Sequence, residues 1–84
     1  MLPSTPCLQN AAKIAIQKDK PIVLDYYEDS AKKDCKVVKN QEGEKFLFKN
    51  REEYTSPLVS MIKIGSDVIL ETHNSIYVVS GKMF

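Results

Sequence analysis

Asp67-Val-Ile-Leu-Glu-Thr-His-Asn-Ser-Ile-Tyr-Val-Val-Ser80 decides the fold class. Two runs rich in branched and aromatic residues, 67–72 and 75–80, flank His73-Asn74. Such side chains suit a pleated surface, and a two-residue link closes a tight antiparallel hairpin in which asparagine tolerates a positive φ. Working backwards, Gly65-Ser66 breaks the chain before this hairpin, and Pro57, which can open a strand but cannot donate within one, sets the start of another strand over 58–64.

Further upstream, Cys35-Lys-Val-Val-Lys39 and Lys45-Phe-Leu-Phe-Lys49 flank Asn40-Gln-Glu-Gly-Glu44, a glycine-bearing link of hairpin length. The polar stretch Asn50 to Ser56 joins this second hairpin to the 58–64 strand. Pro21-Ile-Val-Leu-Asp-Tyr-Tyr27 has a continuous apolar start and an aromatic end, the pattern of a central strand buried on both faces for part of its length. Glu28 to Asp34 then forms a loop or a single helical turn.

The N-terminal segment has a different period. Leu8, Ala11, Ala12, Ala15 and Ile16 recur at three- and four-residue spacings with Ile14 beside them, which predicts a helix over 6–18 with one face on the sheet. Thr5 caps it and Pro6 fits its first position, where a missing N–H costs nothing. The expected class is α+β, mainly β: an N-terminal helix followed by about six short, mostly antiparallel strands. These form a bent sheet or small open barrel around Ile22, Leu24, Phe46, Phe48, Ile62, Val68, Leu70, Ile76 and Val78. Residues 1–84 make one domain, with an arm at 1–5, the helix at 6–18, a β-rich body at 21–80 and a tail at 81–84.

Composition narrows the function classes. A chain of 84 residues buries only about 60–65% of the surface its unfolded form exposes, so a protein partner or self-assembly is the expected source of added stability. Twelve basic against 11 acidic residues leave a net charge of +1, too little for a global field that gathers nucleic acid or anionic lipid. The longest apolar run, Pro21 to Leu24, is far too short to span a bilayer. Met1 to Pro6 lacks the basic and apolar regions of a secretory signal, which points to an intracellular product. Cys7 and Cys35 can form one bridge if the fold brings them together; two free, buried thiols are the expectation inside a cell.

No constellation of catalytic residues emerges. His73 is the only histidine and sits in a turn, without an orienting partner. Asp25, Glu28 and Asp29 match no cation-binding loop and are expected to be solvated. Gly43, Gly65 and Gly81 are isolated, so no phosphate loop is present, and no cofactor is expected. Tyr26, Tyr27, Tyr54 and Tyr77 are expected at the core or its rim.

Two features could bind something. From Lys32 to Arg51, seven basic residues face Asp34, Glu42 and Glu44, and Lys36, Lys45, Lys49 and Arg51 are the candidate contacts for nucleic acid. Phe46 and Phe48 alternate with Lys45, Leu47 and Lys49, which puts the rings on the other face from those lysines and favours a solvated, edge-protecting face. The apolar ends, with Leu2 on one side and Met83 and Phe84 on the other, are candidate docking arms.

Four segments carry a resemblance: Cys7-Leu-Gln-Asn-Ala-Ala-Lys-Ile-Ala-Ile16, Asp19-Lys-Pro-Ile-Val-Leu-Asp-Tyr-Tyr27, Glu53-Tyr-Thr-Ser-Pro57 and Glu71-Thr-His-Asn-Ser-Ile-Tyr-Val-Val79. Together they resemble small uncharacterised proteins of nucleocytoplasmic large DNA viruses of algae and amoebae. The resemblance implies a product of the host cytoplasm and a minor component of the virion. In outline the chain is also similar to Sm-like small barrels, without their paired RNA-binding signatures. The expected function is a non-enzymatic structural or protein-interaction domain, with a nucleic-acid-binding small β-barrel using the 32–51 hairpin as the alternative.

Overall fold

A computed structural model describes residues 2–84; Met1, the first residue of the expected arm, lies outside the described residues. Helix α1 spans Thr5–Lys18. Its cap is Ser4 rather than Thr5: the Ser4 hydroxyl accepts the Cys7 N–H at 3.4 Å. Asp19 ends the helix in the left-handed region at φ 53°, donating its N–H to the Ala15 carbonyl, a conformation that short polar residues tolerate.

The large sheet has the order β1-β7-β6-β5. Strands β5 (Leu58–Ile64), β6 (Asp67–Thr72) and β7 (Ile76–Ser80) form an antiparallel meander, and β1 (Ile22–Val23) lies parallel to β7. Gly65, at φ 60°, turns the chain between β5 and β6. The β6–β7 link is built differently from expectation. Among the described residues only Asp19 and Lys33 of the non-glycines have positive φ, so Asn74 does not use that freedom. Instead Thr72 holds the turn: its hydroxyl accepts the N–H groups of Asn74 and Ser75 at 3.2 and 3.0 Å, and its own N–H donates to the Ser75 carbonyl at 2.9 Å.

A smaller sheet has the order β2-β3-β4, with β2 at Lys36–Lys39, β3 at Lys45–Asn50 and β4 at Glu53–Tyr54. The 40–44 hairpin link is present where the sequence predicts it, with Lys39 opposite Lys45. Strand β4 is too short for a periodic pattern to reveal; it pairs with β3 through a register shift near Asn50.

Three layers result, with two interiors in place of the one expected. Cys7, Ala11, Tyr27, Ile69, Ile76 and Val78 pack between α1 and one face of the large sheet. Cys35, Leu47, Val68, Leu70 and Val79 pack between the other face and the small sheet. All six residues of β6 are buried, so β6 is the central strand. The segment from Pro21 to Tyr27, expected to be central, gives only the two-residue edge strand β1. After Val23 the chain turns, the Tyr27 N–H donating to the Leu24 carbonyl at 3.1 Å. It then enters the short helix α2 (Tyr27–Ala31), the helical turn expected within 28–34.

Four of the expected core residues are also displaced. Leu24 and Ile62 are exposed, and Phe46 and Phe48 are half-buried, whereas Leu47 between them is fully buried. Alternation separates Phe46 and Phe48 from Leu47 but does not say which set faces inward. Burying one leucine side chain contributes roughly 2 kcal/mol.

Candidate functional site

The two edges of the large sheet differ. On the β7 side, β1 pairs with Ile76 and Tyr77, and α2 closes what remains: the Ser80 N–H donates to the Ser30 hydroxyl at 2.7 Å, and that hydroxyl donates to the Tyr27 carbonyl at 2.6 Å. On the other side, β5 is seven residues long and has no strand beyond it among the described residues. Alternate residues of an antiparallel edge turn their N–H and C=O groups away from the sheet, so β5 presents a row of free backbone donors and acceptors.

The side chains along this edge are apolar on both faces. Val59, Met61 and Ile62 are 46%, 45% and 39% exposed. Met61 lies opposite Leu70, on the small-sheet side, while Ile62 lies opposite Ile69, on the helix side. Leu58 packs against the small-sheet interior and Ile64 against the helix-side interior, but neither layer covers the middle of β5. Beside β5 lie three adjoining concavities, each with Met61 in its wall: the first two run between β5 and the β2–β3 hairpin, and the third between β5, Val68 and the C-terminal residues Gly81 and Phe84. The first, of about 410 Å³, reaches from Gly43 to His73; the second and third share Phe84, which is 61% exposed.

Charge around this groove is one-sided. Lys39, Lys45 and Lys63 line it, with Glu44 as the one acidic residue. Among the described residues none of these lysines has an ion-pair partner, and Glu44 already accepts from the Asn40 side chain at 3.2 Å.

The candidate nucleic-acid contacts do not converge. Lys36 lies opposite Phe48 on the outer face of the small sheet, Lys45 lines the groove, and Arg51 is exposed in the turn after β3. Lys49 pairs with Asp29 at 3.0 Å and Glu53 at 3.7 Å, and its hydrogen bond to Asp29 raises its pKa. The outer face does gather rings: Tyr54 stands 6.1 Å from Phe46 and stacks on Phe48 at 6.4 Å. Of the candidate docking ends, Leu2 and Phe84 are exposed, but Met83 packs in the small-sheet interior with its sulfur 3.9 Å from the Cys35 thiol.

His73 is exposed at the hairpin tip; Glu28 pairs with Lys32 at 3.2 Å, and no metal-binding group of three or more ligand residues occurs among the described residues. Cys7 and Cys35 are free and buried in different interiors, and burial pushes both thiols up, Cys35 to about 11.

Two buried carboxylates, which sequence patterning did not single out, fasten α1 to β6. At the N-terminal end, Asp67 accepts the Ser4 N–H at 2.8 Å and the Tyr27 hydroxyl at 2.6 Å. Burial pushes the Asp67 carboxyl up, but these hydrogen bonds outweigh it and hold it below the usual value. The Tyr27 hydroxyl is pushed up to about 12 by burial and by Asp67. At the C-terminal end, Glu71 accepts from Lys20 at 2.6 Å, Lys18 at 2.9 Å and Ser60 at 2.9 Å, and Lys20 above all pulls its carboxyl down to about 2. Asp67 thus ties the start of α1 and the start of α2 to β6, and Glu71 ties the end of α1 and β5 to β6. A polar residue inside a central strand was the signal available: Asp67 and Glu71 are an even number of residues from Ile69 and share its helix-facing side.

No helix among the described residues is long and apolar enough to cross a membrane. Compared with known proteins, the chain matches no family model, no curated protein and no solved structure.

Proposed function

We propose that this chain is a non-enzymatic protein-interaction domain that accepts a strand from a partner along β5. The observation that carries the proposal is the contrast between edges: one is closed by β1 and Ser30, while the other, the seven-residue β5, has no strand on its outer side among the described residues and lies beside a groove walled by Met61. Strand addition uses such an edge directly, with backbone hydrogen bonds giving affinity and flanking pockets giving selectivity. The test is an NMR titration with extended peptides of alternating apolar residues. Resonance changes centred on residues 58–64, lost in a Val59→Arg/Met61→Arg variant, are the expected outcome. Changes centred elsewhere would reject β5 as the binding strip. By the viral resemblance, the host cytoplasm is the proposed setting and the partner a protein of the particle; absence of the chain from purified virions at good mass-spectrometric coverage would reject that placement.

A second reading rests on the outer face of the small sheet, where Phe46, Phe48 and Tyr54 share a side with Lys36. Rings beside a cation suit the bases and backbone of single-stranded nucleic acid. Binding by this face must weaken with added salt and in a Lys36→Glu/Tyr54→Ala variant; binding indifferent to both would exclude it.

A further inference from the structure

Resting on β5 as a strand-accepting edge, we propose that the strand it accepts is acidic, with carboxylates alternating with apolar side chains. The groove beside β5 places Met61 and Phe84 between Lys39, Lys45 and Lys63. These ammonium groups have no ionic partner among the described residues. An incoming extended chain covers roughly 3.4 Å per residue, so it runs past all three lysines within the seven residues of β5. Because successive side chains of an extended strand point to opposite faces, its carboxylates meet the lysines on the small-sheet side, where Met61, Lys63 and Phe84 lie, and its apolar residues cover Ile62 on the helix side.

The same charges disfavour a second copy as the occupant. Antiparallel pairing of two β5 strands about a two-fold axis brings the lysine rows of both copies to one seam, and like charges set opposite each other on a sheet repel. Lys63, within β5 itself, also guards the edge against self-pairing. An acidic strand turns that guard into a contact.

The experiment compares three twelve-residue peptides that share apolar residues at alternate positions and carry Glu, Gln or Lys at the others. Fluorescence anisotropy measures each against the full chain at low and at physiological salt. Since each exposed ion pair adds only modestly to binding, the Glu peptide should bind about tenfold more tightly than the Gln peptide at physiological salt, and more so at low salt. The Lys peptide should bind weakest. A Lys39→Gln/Lys45→Gln/Lys63→Gln variant should lose the preference for Glu; an unchanged preference would overturn the lysines as the contacts of the carboxylates. Equal binding of the Glu and Gln peptides to the wild-type chain overturns the acidic preference and leaves β5 as a strand acceptor. Failure of all three to bind overturns both. Sedimentation of the peptide-free chain as a β5-paired dimer would also overturn the proposal, since a second copy would then hold the edge.

Discussion

Replacing Glu71 by Gln should remove most of the acid sensitivity of folding between pH 5 and pH 2. In the folded chain the Glu71 carboxyl lies at about 2 against an ordinary 4.5, drawn down first by Lys20 and then by Lys18 and Ser60, against the opposing effect of burial. Because the folded value is depressed, the stabilisation is complete above the unfolded value and is lost as pH falls from about 4.5 towards 2. At about 1.4 kcal/mol per pH unit, the depression corresponds to roughly 3 kcal/mol. Lys18 is 50% exposed, and solvent screening brings the expected contribution to about 2–3 kcal/mol. For a chain this small that is a large fraction of a total of roughly 4–12 kcal/mol.

Urea denaturation followed by far-ultraviolet circular dichroism measures the effect. With a slope of about 1 kcal/mol per molar urea, Glu71→Gln should lower the midpoint by about 2–3 M at pH 7. The two proteins should converge as pH approaches 2, where Glu71 is becoming protonated in the wild type. Asp67, also held below its usual value, should leave a smaller residual slope that Glu71→Gln/Asp67→Asn removes. A Glu71→Gln protein with wild-type pH dependence would show that the two lysines do not hold an ionised carboxylate in β6.

The N-terminal clamp is tested by Tyr27→Phe, which leaves one oxygen of Asp67 without its 2.6 Å donor and should cost about 1–3 kcal/mol by thermal or urea unfolding. Gly81→Ala should destabilise by about 1–3 kcal/mol, because a Cβ there would stand 2.6 Å from the Ser66 carbonyl oxygen; a wild-type melting temperature would contradict that close approach. Cys7 and Cys35 lie in interiors on opposite faces of the large sheet. Both thiols should therefore resist a thiol reagent in the native state and react fully in denaturant, and mild oxidation should leave no intramolecular bridge detectable by mass.

Much of this architecture is legible in the sequence because it is local. Helix α1 follows from apolar spacing, and β5 and β6 have the bounds predicted by Pro57, Gly65 and the turn after Thr72. What the sequence does not reveal is which strands sit at the centre. Pro21 to Tyr27 and Leu58 to Ile64 are both apolar on two faces, the usual mark of a central strand, yet both form edges. In the first, Tyr27 leaves the strand to reach Asp67, a residue 40 positions away. In the second, β6 takes the centre because its carboxylates, which look like solvent-facing positions, are met from distant segments by Lys18 and Lys20 at Glu71 and by hydrogen bonds from Ser4 and Tyr27 at Asp67. The groove has no local signature at all, since Lys39, Lys45, Met61, Lys63 and Phe84 meet only through the tertiary fold.

Hydrogen exchange by NMR on the dilute, peptide-free chain tests the openness of β5 most directly. Alternate β5 amides should exchange nearly as fast as exposed loop amides, while the amides of β6, paired on both sides, should be the slowest in the molecule. Uniform, slow exchange along β5, matching that of β6, would mean that the edge is already covered and that no free strip exists for a partner strand.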